Sequence, residues 1–145
     1  MSPSYDCDTT DCATTDCATP AVAHVILGES MLTAAAVIPH WNRRDLLATL
    51  LPSLRAQSRP FDEVIVVDNG STDGSAEFAE RAGAKVLRLD RNLGFAPAVN
   101  RGIVAAQSEW VAILNNDVTL DVAWLENLLA AVSQSGAWFA TGKIL

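Results

Sequence analysis

The stretch EVIVVDNGSTDGS, residues 63–75, decides the fold. After Glu63, its first residues, Val64 to Val67, form an apolar, β-branched run, the pattern of a strand covered on both faces and therefore central in its sheet. Asp68, Asn69, Gly70 and Ser71 then supply turn chemistry. A helix is expected over 73–82, stopped by Gly83. A covered strand that passes through a tight turn into a helix is the repeating unit of a parallel α/β sheet.

The same alternation extends in both directions. Upstream, a strand is expected over 34–38, stopped by Pro39, then a helix over 43–57 with Leu46, Leu47, Leu50, Leu51 and Leu54 on one face. Pro52 lies inside that helix and removes a backbone hydrogen bond, so the helix should bend or restart there. Downstream, a strand over 85–89, a helix over 95–107, a strand over 110–114 and a helix over 121–134 follow. Gly136 stops the last helix, and a fifth apolar run begins at Ala137. The fold class is α/β, a mostly parallel sheet with flanking helices.

The 145 residues suffice for one domain, and at 50% hydrophobic they can bury an ordinary core. Asp6, Asp8, Asp11 and Asp16 account for four of the seven net negative charges, which leaves −3 for everything after residue 20. A mildly acidic domain without a basic stripe argues against nucleic acid as a partner, because phosphate backbones are held chiefly by Lys and Arg. Cys7, Cys12 and Cys17 all fall in a five-residue repeat, DCDTT, DCATT, DCATP. Three cysteines cannot all pair, and a zinc site would need a fourth ligand, for which His24 is the only nearby histidine. Residues 1–30 are read as a disordered, low-complexity leader and 31–145 as the folded domain. Residues 21–38 are apolar enough to suggest a membrane span, but His24, Glu29 and Ser30 interrupt them and no basic residue precedes them. No transmembrane segment is expected.

In an open parallel sheet, ligands gather at the carboxyl ends of the strands. Here those ends read Pro-His-Trp-Asn, Asp-Asn-Gly-Ser-Thr-Asp and Asn-Asn-Asp. Acids there would repel a bare phosphate, and no glycine-rich phosphate loop follows the first strand. A carboxylate can still hold a diphosphate through a divalent cation, since hard cations take oxygen ligands from both sides. Asp117 is placed for this, or else acts as a helix cap or turn acid. Asp68 can close an Asx turn with Gly70, a role compatible with ligand contact. Asn69 offers the donor and acceptor that suit a pyrimidine edge. Trp41 is either half-buried core or a stacking surface for a base, worth about 1–3 kcal/mol.

Four segments in order, VIPHWN at 37–42, EVIVVDNGSTDGS at 63–75, NLGFAPAVNRGI at 92–103 and AILNNDV at 112–118, together resemble glycosyltransferase family 2, with coverage of residues 32–145. The nearest likeness is to rhamnosyltransferase-like and galactofuranosyltransferase-like members. The resemblance implies a GT-A, Rossmann-like fold, here truncated at its C-terminal end. It implies binding of a nucleoside-diphosphate sugar donor with Mg²⁺ or Mn²⁺, and transfer with inversion to a glycan or polyprenyl-linked acceptor. The expected location is the cytoplasm, at the inner face of the membrane.

Carried over by position, the donor-binding residues are Pro39, Trp41, Asp68, Asn69, Gly94, Asn100 and Asn115, with Asp117 the metal ligand. Trp41 stands where the family usually has a tyrosine near the base, and Asn69 where a second Asp is common. Asn100 falls in the donor-side helix. Asn115 and Asp117 hold the first and last places of the D-x-D motif. With only one carboxylate left in that motif, metal affinity should depend on nucleotide. The family's general base, an Asp, lies farther downstream than Leu145, so this polypeptide is expected to bind donor without it. Two alternatives stand beside this reading. A non-catalytic nucleotide-binding module differs in what the DNA encodes after codon 145. A sugar nucleotidyltransferase would open with a glycine-rich basic loop, which residues 39–44 lack.

Overall fold

The computed structural model describes residues 32–142; the leader expected over 1–30, with its cysteine repeat, lies outside the described residues. Eight elements alternate: β1 (Ala34–His40), α1 (Arg44–Arg55), β2 (Glu63–Asp68), α2 (Ser75–Arg81), β3 (Lys85–Arg88), α3 (Phe95–Ala105), β4 (Trp110–Ile113) and α4 (Trp124–Ser135). The strands form one sheet in the order β3-β2-β1-β4, and every neighbouring pair is parallel. β2 therefore has a partner on each side, as its apolar run requires.

Successive strand residues point to opposite faces, and this splits the core in two. Ala36, Ile38 and Val66 face α1 and α2, where they meet Leu47, Leu50, Leu51, Leu54 and Ala79. Val37, Ile65 and Val67 face α3 and pack with Ala98. Gly102 in α3 lets that helix lie flat on the sheet: a Cβ there would sit 2.3 Å from Val37 Cγ1 and 3.1 Å from Val67 Cγ2. α4 returns to the α1 side, tied by the buried Gln57 amide, which accepts from Leu125 N at 3.0 Å.

This arrangement creates a reversal. The chain steps outward from β1 to β2 to β3 with α1 and α2 on one face, then crosses back with α3 on the other face and lays β4 against the free side of β1. The carboxyl ends of β1 and β4 flank the point where the winding direction changes, which is where such sheets open a crevice.

Two local expectations are corrected. Pro39 does not stop β1, which runs on to His40. Val37 O accepts from Leu114 N on the β4 side, whereas His40 O accepts from Asn69 N on the β2 side. Pro39, two residues after Val37, turns its missing N–H toward the β4 side, where the ladder has already ended at Ile113. No ladder bond is lost there. Of the two outcomes expected at Pro52, the restart is excluded: the helix is continuous from Arg44 to Arg55, with Pro52 exposed on its outer face. Leu46 is only half-buried, so the α1 stripe is Leu47, Leu50, Leu51 and Leu54. The apolar run from Ala137 forms no regular element through Gly142, and Trp138 stands 96% exposed.

Candidate nucleotide-sugar site

Four loops leave the carboxyl edge of the sheet, and hydrogen bonds between them make one surface. Asn42 takes a left-handed conformation, φ 46°, which its short polar side chain tolerates. Its Oδ1 accepts from Thr72 N at 2.8 Å, and its N–H donates to Ser71 Oγ at 2.9 Å. Arg44 N donates to Asp73 Oδ2 at 3.0 Å. The loop after β1 is thereby stitched to the loop after β2.

The loop after β2 is tied in turn to the loop after β3. Asp68, buried at the strand end, accepts from Ser71 N at 3.2 Å and closes the Asx turn one residue later than Gly70. Gly70 lies so close to its neighbour that a Cβ would stand 2.7 Å from Arg91 Cα, and its φ of +78° favours glycine as well. Asn69 is also buried. Its Nδ2 donates to Asn92 Oδ1 at 2.9 Å and to Gly94 O at 3.1 Å, and its Oδ1 accepts from Leu93 N at 2.8 Å. Both amide hydrogens are spent on the neighbouring loop. The expectation that Asn69 presents a donor to a base edge is corrected accordingly, and a single acceptor lone pair remains.

The loop after β4 carries Asn115, Asn116 and Asp117. Asn115 and Asp117 are exposed, whereas Asn116 turns inward onto His40. Asp117 is not a helix cap, because α4 begins at Trp124 behind Ala123. Asn115 and Asp117 line an open cleft of about 610 Å³ with Phe95, Thr119, Asp121 and Trp124 among its other walls. Trp41, 51% exposed, is a free indole rather than core. Trp41, Asp68 and Asn69 do not line the cleft that holds Asp117. They occupy the same edge on the next strands over, β1 and β2; Asp68 is two strands across from β4 and level with His40, three residues past Val37, where the β4 pairing ends at Ile113. Gly94 caps α3, and Asn100 is exposed midway along that helix, farther from the strand tips. Pro39 is partly buried inside β1.

The charges around this edge are mostly exposed. Arg43 is held above its ordinary range by its hydrogen bonds to Asp45, at 3.0 and 2.9 Å, and to a lesser degree by the charge of nearby Asp117. Among the described residues no group of three or more His, Cys, Asp or Glu side chains is placed to hold a metal ion. The cleft offers a hard cation the Asp117 carboxylate and the Asn115 amide oxygen, with the Asp121 carboxylate and the Thr119 hydroxyl on its other walls. That set fits a cation that brings further oxygen ligands with it.

The family model for glycosyl transferase family 2 matches residues 35–145. The chain belongs to glycosyltransferase family 2. An uncharacterised glycosyltransferase of Mycobacterium tuberculosis is 35% identical over 107 residues, which cover 74% of this chain and 46% of that protein. This chain thus spans about half the length of the curated relatives it matches. Among solved structures, Staphylococcus aureus TarS 1-349 in complex with UDP superposes with a TM-score of 0.66 at 27% identity, covering 70% of this chain and 32% of that one. A mannosyltransferase from Pyrobaculum calidifontis, in complex with GDP-Man and Mn²⁺, superposes with a TM-score of 0.65 at 25% identity, covering 69% and 32%. The parallel sheet with helices on both faces is the GT-A fold of these family 2 relatives.

Sequence reasoning passed over His40, Ser75 and Asn116, which form the buried polar link between the β1, β2 and β4 loops. One signal was available: a histidine closing an otherwise apolar strand needs partners if it is buried. Among the described residues no helix is long and apolar enough to cross a membrane.

Proposed function

We propose that this chain carries the donor-binding half of a metal-assisted, inverting glycosyltransferase. The observation that carries the reading is that an exposed indole after β1, a buried carboxylate closing β2 and a cleft with Asn115 and Asp117 after β4 share the carboxyl edge of a family 2 sheet. A nucleoside diphosphate suits this edge because it is extended: the base lies against Trp41, the ribose near Asp68, and the diphosphate reaches the β4 loop. Asn69 acts by holding the β3–α3 loop in place under the ligand. Asn115 and Asp117 would hold a divalent cation, Mg²⁺ or Mn²⁺, against the diphosphate, and the chemistry such a cation would supply is neutralisation of the departing charge.

Asp117 is the sole carboxylate of its motif, so it holds a cation well only when diphosphate oxygens complete the shell. The acceptor is a glycan or polyprenyl-linked sugar and the donor of rhamnose or galactofuranose type, by likeness to those branches of the family. A site at the inner face of the membrane suits such an acceptor.

The test is a thermal-shift panel of UDP, dTDP and GDP, each with and without Mn²⁺, since any ligand that prefers the folded form raises its stability by mass action. At least one nucleotide is expected to stabilise the chain, and more so with Mn²⁺, while Mn²⁺ alone does little. No response to any of the three, with or without metal, would overturn the reading.

A further inference from the structure

His40 closes β1 with only 2% of its surface exposed, and its ring reaches two loops far apart in sequence. Nε2 lies 2.9 Å from Ser75 Oγ at the start of α2, and Nδ1 lies 3.0 Å from Asn116 Nδ2 in the β4–α4 loop. The direction of these bonds follows from their far end. Ser75 Oγ is hydrogen-bonded to Asp73 Oδ1. An ionised carboxylate only accepts, so the single hydroxyl hydrogen of Ser75 goes to Asp73. Ser75 must then accept from His40, which puts the proton on Nε2 and leaves Nδ1 bare to accept from the Asn116 amide. Arg43 N–H also points at Nε2, at 3.4 Å, and the shorter contact to Ser75 at 2.9 Å outweighs it.

The chain therefore runs donor to acceptor from Asn116 through His40 and Ser75 to Asp73. Its consequence lies at Asn116. Three polar residues in a row occupy an exposed turn, and the middle one is pulled inward onto a buried ring. A residue pinned between two neighbours leaves those neighbours little freedom, and here it turns Asn115 and Asp117 outward to the cleft. We infer that His40 is a positioning residue for the donor site, acting through Asn116 to hold Asn115 and Asp117 toward the nucleotide diphosphate and its cation. This rests on the reading of Asp117 given under the proposed function. It adds a residue that touches neither ligand nor metal.

Two conservative variants separate the two ends of the ring. In His40→Asn, the side-chain oxygen replaces Nδ1 as acceptor for Asn116 while the link to Ser75 is lost. In His40→Gln, the amide nitrogen replaces Nε2 toward Ser75 while the link to Asn116 is lost. Affinities of the full chain for UDP, dTDP and GDP are measured by calorimetry with and without Mn²⁺. His40→Gln is expected to lose about tenfold or more of the Mn²⁺-dependent gain in affinity, with metal-free affinity nearly unchanged, and His40→Asn to keep the gain. Asn116→Ala, a change at a partly exposed loop position, should match His40→Gln and serves if His40→Gln does not fold. In ¹⁵N spectra of the wild type, the His40 ring should show Nδ1 bare and Nε2 protonated.

A wild type with the Mn²⁺-dependent gain, together with His40→Gln or Asn116→Ala variants that keep it, overturns this inference and leaves the functional reading intact. Equal losses with and without metal in all three variants also overturn it, as the signature of a merely structural role. A wild type with no Mn²⁺-dependent gain for any of the three nucleotides overturns this inference together with the metal-assisted part of the functional reading.

Discussion

Replacing Asn69 by Asp restores the residue common at this place in the family, yet the structure assigns it a cost. Asn69 Oδ1 keeps its bond from Leu93 N after the change, but the two bonds donated by Nδ2, to Asn92 Oδ1 and Gly94 O, are lost. Each contributes about 1 kcal/mol net. A carboxylate oxygen then faces two acceptors in a buried place. Gly94 and Asn92 are themselves exposed, but Asn92 cannot turn its amide without giving up its own bond from Gly94 N. Leaving such groups unsatisfied costs about another 1–3 kcal/mol. The sum is about 3–5 kcal/mol, which for a domain of this size lowers Tm by roughly 10–20 °C. Urea denaturation of wild type and Asn69→Asp, followed by circular dichroism, reads this directly, with Asn69→Ala as a companion that loses the bonds without adding the charge. The reasoning is refuted if Asn69→Asp unfolds within about 0.5 kcal/mol of wild type. A variant of unchanged stability but weakened nucleotide binding would show that the amide faces ligand instead.

Gly102→Ala should destabilise by about 1–3 kcal/mol through overpacking against Val37, and adding Val37→Ala should recover part of that loss in a double-mutant cycle read by thermal melts. Trp41→Ala should weaken nucleotide binding by about 1–3 kcal/mol, roughly 5- to 150-fold in calorimetry, while the melting temperature changes little because the indole is half exposed. Asp117→Asn should abolish the Mn²⁺-dependent part of nucleotide affinity and leave the metal-free part within about twofold. Burial, against the opposing pull of Asp73, Asp68 and Asp45, sets the His40 pKa below its ordinary value. The unfolded chain then takes up a proton before the folded one does, so stability present above about pH 6.5 is lost as pH falls toward the folded value. Melting temperatures from about pH 7.5 down to about pH 5.5 should fall more for wild type than for His40→Asn.

The parallel sheet was legible because each strand and helix announces itself locally. EVIVV at 63–67 can only be a covered strand, and the leucines of 46–54 recur at helical spacing. Strand order was not legible in the residues, whereas four short motifs placed in sequence pointed to the fold class. The contacts that build the site were not legible in the same way. Asn69 and Gly94 are 25 residues apart, and His40 and Asn116 are 76 apart. No local pattern announces which polar side chain will be spent on another loop and which will be left for a ligand. Pro39 shows the same limit on a smaller scale: it breaks a strand only if its nitrogen faces a ladder, and that depends on where β4 ends.

The central claim is that the tips of β1, β2 and β4 serve one extended ligand although Asp117 sits in a cleft that Trp41 and Asp68 do not line. Titration of the ¹⁵N-labelled chain with UDP, then with Mn²⁺, examines this most directly. The Trp41 indole and the Asp68, Asn69, Asn115 and Asp117 amides should shift along one binding curve, and Mn²⁺ should then broaden Asn115 and Asp117 most strongly, and only with UDP present. Trp41 and Asp117 responding with different affinities, or one responding without the other, would contradict it.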